Sequence, residues 1–237
     1  MPILKVTRYE QTQNQCAVAA CASVLNFYNS KMDYKKVCKI AYDIFTDSID
    51  HDGLDSGEMG ILFNKLGFQK VTIISSDVIH LDYSWNKLNK KKLIHILRKT
   101  SKNKKVTLPD TLKIFANFLS TKEDNSLSID NDFSNHIKTS IKHKKPIVLS
   151  VNWNLMFKQP KYDIDGKITP LGECEKHAIV VYGYNDKDVY VADSNNAAYK
   201  KRFNGYKNGK YKVSWNVLML AMSMEDIIIA ENYNELV

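Results

Sequence analysis

The sequence predicts an α+β fold: one domain over 1–237, with a mainly helical lobe (1–145) ahead of a mainly antiparallel sheet lobe (146–237). Three observations lead there. Cys16 to Tyr28 is an almost unbroken apolar run, of a length that suits a helix buried on most sides. The segments after it carry apolar residues at helical spacing. From about Lys145 the composition turns β-branched, in short runs without the strand-helix alternation of a doubly wound sheet.

The first helix begins at Cys16, with Asn14 or Gln15 at its boundary, because Asn is a favoured capping residue. A second helix is expected over "MDYKKVCKIAYDIF", where Val37, Ile40, Ala41, Ile44 and Phe45 recur at helical spacing. After the Gly-punctuated "DHDGLDSGE", Met59, Leu62, Phe63 and Leu66 form a third stripe, which Gly67 ends as a C-cap. "QKVTIISS" reads as a strand. Residues from about 80 to 130 read as helices and polar loops, "TLKIFANFL" among them, inserted into the fold. "KPIVLSVNW", "HAIVVYGY", "DVYVAD" and "EDIIIAE" are then strands, the middle two joined through Asn185, Asp186 and Lys187.

With 44% hydrophobic and 25% charged residues, nine Gly and five Pro in 237, the composition excludes a disordered or fibrous chain. "MPILKVTRYEQ" has no apolar core of signal-peptide length, and no later apolar run approaches the roughly 20 residues of a membrane span. The expected location is cytoplasmic, or exported by a route that reads no N-terminal signal. Cys16, Cys21, Cys38 and Cys174 are too few for a disulfide framework and leave thiols free for chemistry. The net charge of +8 is concentrated: residues 87–105, Lys87 to Lys105, hold nine Lys/Arg and no acid. The default reading is a solvated helix face, and the functional one is a surface for an anionic partner.

Cys16 stands where a reactive cysteine gains most, because the unpaired N–H groups and dipole of a helix N-terminus stabilise a thiolate. Cys21 lies inside the same apolar helix and Cys38 in an amphipathic one, and both read as core. A thiolate nucleophile needs a base, and the base needs an orienting group. Of six histidines, His177 alone opens an apolar strand, and Asp193 ends the next one. A hairpin with an odd loop centred near Asn185 places His177 directly across from Asp193, and an even loop requires a bulge to keep them on one face. The oxyanion formed on an attacked carbonyl needs donors. Gln11, Gln13 and Gln15 all precede Cys16. Gln15 helps begin the helix, so Gln11 is the first choice for the amide donor and Gln13 the second.

A Gln ahead of a Cys at the head of an Ala-rich helix ("QTQNQCAVAACASVLNFY"), followed far along by "HAIVVYGY" and "VYVAD", resembles the papain-like cysteine peptidases, specifically their C39-like (bacteriocin-processing peptidase-like) group. The "GEMGILFNKLGF" helix, the "KPIVLSVNW" strand and a late "VSWNVLMLAM" helix follow in that family's order, so the resemblance spans the chain except about 80–130. Ala17 departs from the Gly usual after the nucleophile. The resemblance implies a papain-like fold and a thioacyl-enzyme mechanism on a peptide or protein substrate: Cys16 attacks, His177 is base and then acid, Asp193 orients it, and a Gln side chain with the Cys16 N–H binds the oxyanion.

An amine could resolve the same acyl-enzyme, which makes an acyltransferase or transpeptidase the alternative. An inactive module binding through its basic segment is a third reading, and a bacterial effector or toxin role is compatible with the first. "CEKH" at 174–177 with Cys16 and Cys21 fits no zinc spacing, so neither metal nor cofactor is expected. The long connection "NLMFKQPKYDIDGKITPLGECEK" leads into His177 and is expected to border the substrate cleft.

Overall fold

The apolar run becomes helix α1 (Cys16–Tyr28), in which every residue from Ala17 to Leu25 is buried. The computed structural model describes residues 2–12, 14–29, 31, 33–104, 106–163, 165–172, 174–195 and 207–235. Burying side chains such as Val18, Val24 and Leu25 is worth about 1.5–3 kcal/mol each, so packing holds α1. Its N-terminus contributes little to that hold: Gln15 occupies the cap position without a side-chain capping bond. The chain reaches it through a turn in which Asn14 takes a left-handed φ of 59° and the Gln15 N–H donates to Thr12 O.

Helices α2 (Tyr34–His51) and α3 (Ser56–Lys65) follow. In α3 a capping box joins Asp55 and Glu58, and Gly67 follows with a φ of 107°, the turn expected of it. Strand β1 (Phe68–Ser75), a 3₁₀ turn (Tyr83–Lys87), α4 (Lys90–Thr100), α5 (Pro109–Thr121), β2 (Ser126–Ile129) and α6 (Phe133–Lys142) come next. The second half runs β3 (Ile147–Asn152), α7 (Trp153–Phe157), β4 (Lys176–Tyr184), β5 (Asp188–Asp193), β6 (Lys210–Ser214), α8 (Trp215–Ala221) and β7 (Asp226–Tyr233).

One seven-stranded sheet has the order β2-β1-β7-β3-β4-β5-β6. It is antiparallel except where β2 pairs with β1. The helix-and-loop reading of about 80–130 missed β2, too short at Ser126–Ile129 to show a pattern, and β6 was also unforeseen. The long chain of β7 enters between β1 and β3 and so joins strands of both halves in one sheet. Helix α1 packs along β4, which brings its N-terminus to the start of that strand.

Candidate active site

The β4–β5 hairpin sets His177 beside Asp193 by a different register from the one expected. Asp193 lies across from Ile179, two residues beyond His177 on the same face of β4. Near the turn Tyr184 pairs with Val189, which on its own would put His177 and Asp193 on opposite faces. A bulge between Val181 and Gly183 shifts the register by one residue and restores the shared face. His177 therefore meets Asp193 diagonally: Nε2 lies 2.7 Å from Asp193 Oδ1, with both residues buried.

Asp193 is fully satisfied. Its Oδ1 also accepts from the Asn195 N–H (2.9 Å), and its Oδ2 accepts from the buried Tyr211 hydroxyl at 2.7 Å. Strand β6 supplies that tyrosine, because Tyr211 pairs with Val191 beside Asp193. Edge-on aromatic rings cover the imidazole, Trp153 at a centroid distance of 4.8 Å and Phe157 at 6.2 Å, both from α7. The base of the long 154–176 connection closes there through Trp153 N–H to Glu175 O at 2.8 Å.

Cys16, partly buried at the head of α1, lies near enough to His177 for the imidazole to act on its thiol, as do the backbone N–H groups of Ala17 and Ala178. With Nε2 committed to Asp193, Nδ1 is the ring nitrogen left for the thiol. Burial pushes the Cys16 thiol up, but His177 and the backbone donors outweigh it and the net shift is downward. Burial likewise pushes His177 down, yet Asp193 and Cys16 raise it to about 10. Each group thus favours the charged form of the other in a low-dielectric site.

The sequence model of the Peptidase_C39 like family matches residues 3–219. The chain belongs to this family. Solved structures similar to it include a C39-like peptidase from Bacillus anthracis, at 14% identity over 99% of this chain and 100% of that one, TM-score 0.47. Another is a double-glycine-motif protease from an AMS/PCAT transporter in complex with its leader peptide, at 12% identity over 98% and 95%, TM-score 0.45. A third is the peptidase domain of Streptococcus ComA, at 14% identity over 97% and 99%, TM-score 0.46. Among proteins of curated function, none matches. The fold is the α+β, papain-like architecture of C39-like peptidases.

In this C39-like chain the glutamines divide by their partners. Gln15 turns away, its Oε1 taking the Cys38 thiol at 3.6 Å. Gln13 lies outside the described residues. Gln11 is tied to the residue after Asp193: its N–H donates to Ser194 O, and its Oε1 accepts from the Ser194 hydroxyl at 2.7 Å. With the carbonyl end held, the amide NH₂ is the end left to donate. Arg8 fixes the same corner, its Nε and Nη2 donating to the carbonyls of Asp193 (2.7 Å) and Ser194 (2.6 Å). Gly209, at a φ of 74°, makes room for it, since a Cβ there would lie 2.4 Å from Arg8 Nε.

Tyr211, Ser194 and Trp153 are the site residues the sequence did not yield. For Trp153 a signal existed, as it closes the "KPIVLSVNW" strand at the mouth of the loop leading to His177. Tyr211 had none, because β6 was not recognised. All four cysteines are free; Cys21 is fully buried and its thiol is pushed far up by burial. In the basic segment Lys90 is structural, its Nζ donating to the carbonyls of Lys122, Glu123 and Asn125. Lys91, Lys92, His95, Arg98 and Lys99 are exposed on α4, and Lys105 lies outside the described residues. Among the described residues no helix is long and apolar enough to cross a membrane.

Proposed function

We propose that this C39-like chain is a cysteine peptidase that works through Cys16, His177 and Asp193. The linked Cys16–His177–Asp193 contacts carry the reading. The Cys16 thiolate adds to the carbonyl carbon of a peptide bond, and the negative charge moves to the carbonyl oxygen. Gln11, through its NH₂, and the Cys16 N–H at the uncapped end of α1 receive that oxyanion. As the tetrahedral adduct collapses, the C–N bond breaks and the His177 imidazolium gives its proton to the departing amine. Neutral His177 then takes a proton from water, whose oxygen attacks the thioester, and the thiolate leaves as the acid product forms. Asp193 keeps the imidazole oriented throughout, and Tyr211 and Asn195 keep Asp193 in place.

Membership of a peptidase family supports water as the acceptor, and so hydrolysis. Cys16→Ala is expected to reduce peptide cleavage by more than about 10⁴-fold and to abolish labelling by a thiol-directed peptidyl probe, with the circular dichroism spectrum unchanged. Cleavage at the wild-type rate sinks the proposal. The exposed cations of α4 form a separate electrostatic surface for an anionic partner, one that requires association to weaken with salt.

A further inference from the structure

The strand end that carries His177 also walls a second polar cavity. Lys176, the preceding residue, lines it with Asp55 at the head of α3, Asp77 just after β1 and Asp226 at the start of β7. Ser56, Ser75 and Thr111 add hydroxyls to its lining, and its apolar walls include Phe115 and two exposed rim residues, Leu108 and Met224.

The charges in this cavity do not balance. Lys176 Nζ lies 3.9 Å from Glu225 Oε2, which also accepts from the Ser150 hydroxyl at 2.6 Å. Asp77 is held by His80 Nδ1 at 2.6 Å, and Asp55 by Thr111 and the α3 cap. Asp226 is different. The Ser56 and Ser75 hydroxyls draw its carboxyl toward the charged form, but its Oδ1 is buried with no hydrogen-bond partner among the described residues, in a residue only 8% exposed. A buried acceptor without a donor costs about 1–3 kcal/mol, and more when charged. Burial accordingly pushes Asp226 and Asp55 upward.

Size and lining narrow what the cavity would accept. Its volume is about 20 Å³, room for one water-sized group. A primary ammonium has that size and brings three donors, whereas a planar guanidinium is larger. A lysine side chain would lay its apolar stem along Leu108, Phe115 and Met224 and put its head at Asp226. Two links run from the cavity toward Cys16. Lys176 is bonded to His177, and the loop before Asp55 packs on the turn leading to Cys16: Asn14 Nδ2 donates to His51 O at 3.0 Å, and a Cβ on Gly53 would lie 3.0 Å from Asn14 O.

We infer that this cavity is a subsite for a primary ammonium of the peptide substrate, a lysine side chain or a chain-terminal amine, bound within a few residues of the bond that Cys16 attacks. The inference takes its substrate from the peptidase reading, while ammonium binding itself stands on the cavity.

Calorimetry or NMR titration with Nα-acetyl-lysine amide, norleucine amide and Nα-acetyl-norleucine amide tests the binding and distinguishes the two sources. Saturable binding is expected for the first or the second probe and not for the third, and Asp226→Asn weakens it by about tenfold or more. Leu108→Lys, at an exposed rim position where folding is not at stake, blocks the probe with its own ammonium. Failure of both ammonium probes to bind, the cavity holding water only, overturns the inference, as does equal binding in both variants. A mixed peptide library separates the two failures. If Cys16→Ala cuts as well as the wild-type chain, the peptidase reading falls and probe binding still decides the subsite. If cutting requires Cys16 but is not enriched for a lysine or free amine near the cut, the peptidase stands and the subsite falls.

Discussion

His177 and Lys176 are neighbours on β4, and each belongs to a cluster of charge, buried around His177 and partly exposed around Lys176, but the two clusters are completed to different degrees. Around His177 both Asp193 oxygens have donors, from His177, Asn195 and Tyr211, and the imidazole is paired on the other side with Cys16. Around Lys176 the carboxylates outnumber the cations, and one Asp226 oxygen has no donor among the described residues. The first cluster holds its charges in fixed geometry, which a proton relay requires. The second raises the affinity of Asp55, Glu225 and Asp226 for protons and, as inferred above, accepts a cation from outside.

Substituting the aspartates tests this difference most strongly. Asp193→Ala is expected to cost on the order of 10²–10⁴-fold in kcat/KM and about 3–5 kcal/mol of stability, since it breaks a buried pair and leaves His177 uncompensated. Asp226→Asn removes a charge that lacks a full complement of donors, so above neutral pH it is expected to cost no more than about 1 kcal/mol. Urea titrations of both variants decide it. Equal destabilisation would mean that Asp226 is as fully partnered as Asp193.

The completed cluster extends to Gln11 through Ser194, and Gln15 lies outside it. Gln11→Ala is therefore expected to lower kcat by about 10²–10³-fold with little change in KM, as for a donor used mainly in the transition state. Gln15→Ala should lower it much less. The reverse order would move the oxyanion donor to the helix cap. Next in size is Tyr211→Phe, which leaves a buried Asp193 oxygen without its hydroxyl donor. About 1–3 kcal/mol of stability should disappear from the urea midpoint, with a smaller loss of activity than Asp193→Ala.

What the sequence disclosed follows the strength of each local signal. The run from Cys16 to Tyr28 has one reading, and α1 has those bounds. The pairing of His177 with Asp193 was legible because strand alternation needs only parity, and the one-residue bulge at Val181/Gly183 restored the parity that the turn register alone would have lost. The register itself was not legible, since a bulge leaves no clear trace in "HAIVVYGY". Tyr211 was hidden because "KYKVS" is short and half polar, and its role comes from pairing with β5. The charge imbalance around Lys176 was hidden for a similar reason. Asp55, Asp77, Lys176 and Asp226 are spread over the chain, and only the sheet order brings β1, β7 and β4 to one end.

The smallest expected effect separates the two clusters by pH. Burial pushes Glu225 from 4.5 to about 7, against the pull of Lys176 and the Ser150 hydroxyl, with Asp226 and Asp77 adding to the rise. A carboxyl raised in the folded state stabilises the chain fully below its unfolded value, and that contribution is lost as pH rises through about 7. His177, raised from 6.5 to about 10, follows the same rule in a later window, losing its contribution only as pH climbs from 6.5 through about 10. Cys16, shifted down, runs the opposite way. Below 6.5 the difference in stability between the wild-type chain and Glu225→Gln therefore belongs to the Lys176 cluster. Urea midpoints measured across that range should fall with rising pH more steeply for the wild-type chain than for Glu225→Gln. Parallel curves would mean that Glu225 ionises in the folded chain as it does in water, and that the Lys176 cluster is as balanced as the one around His177.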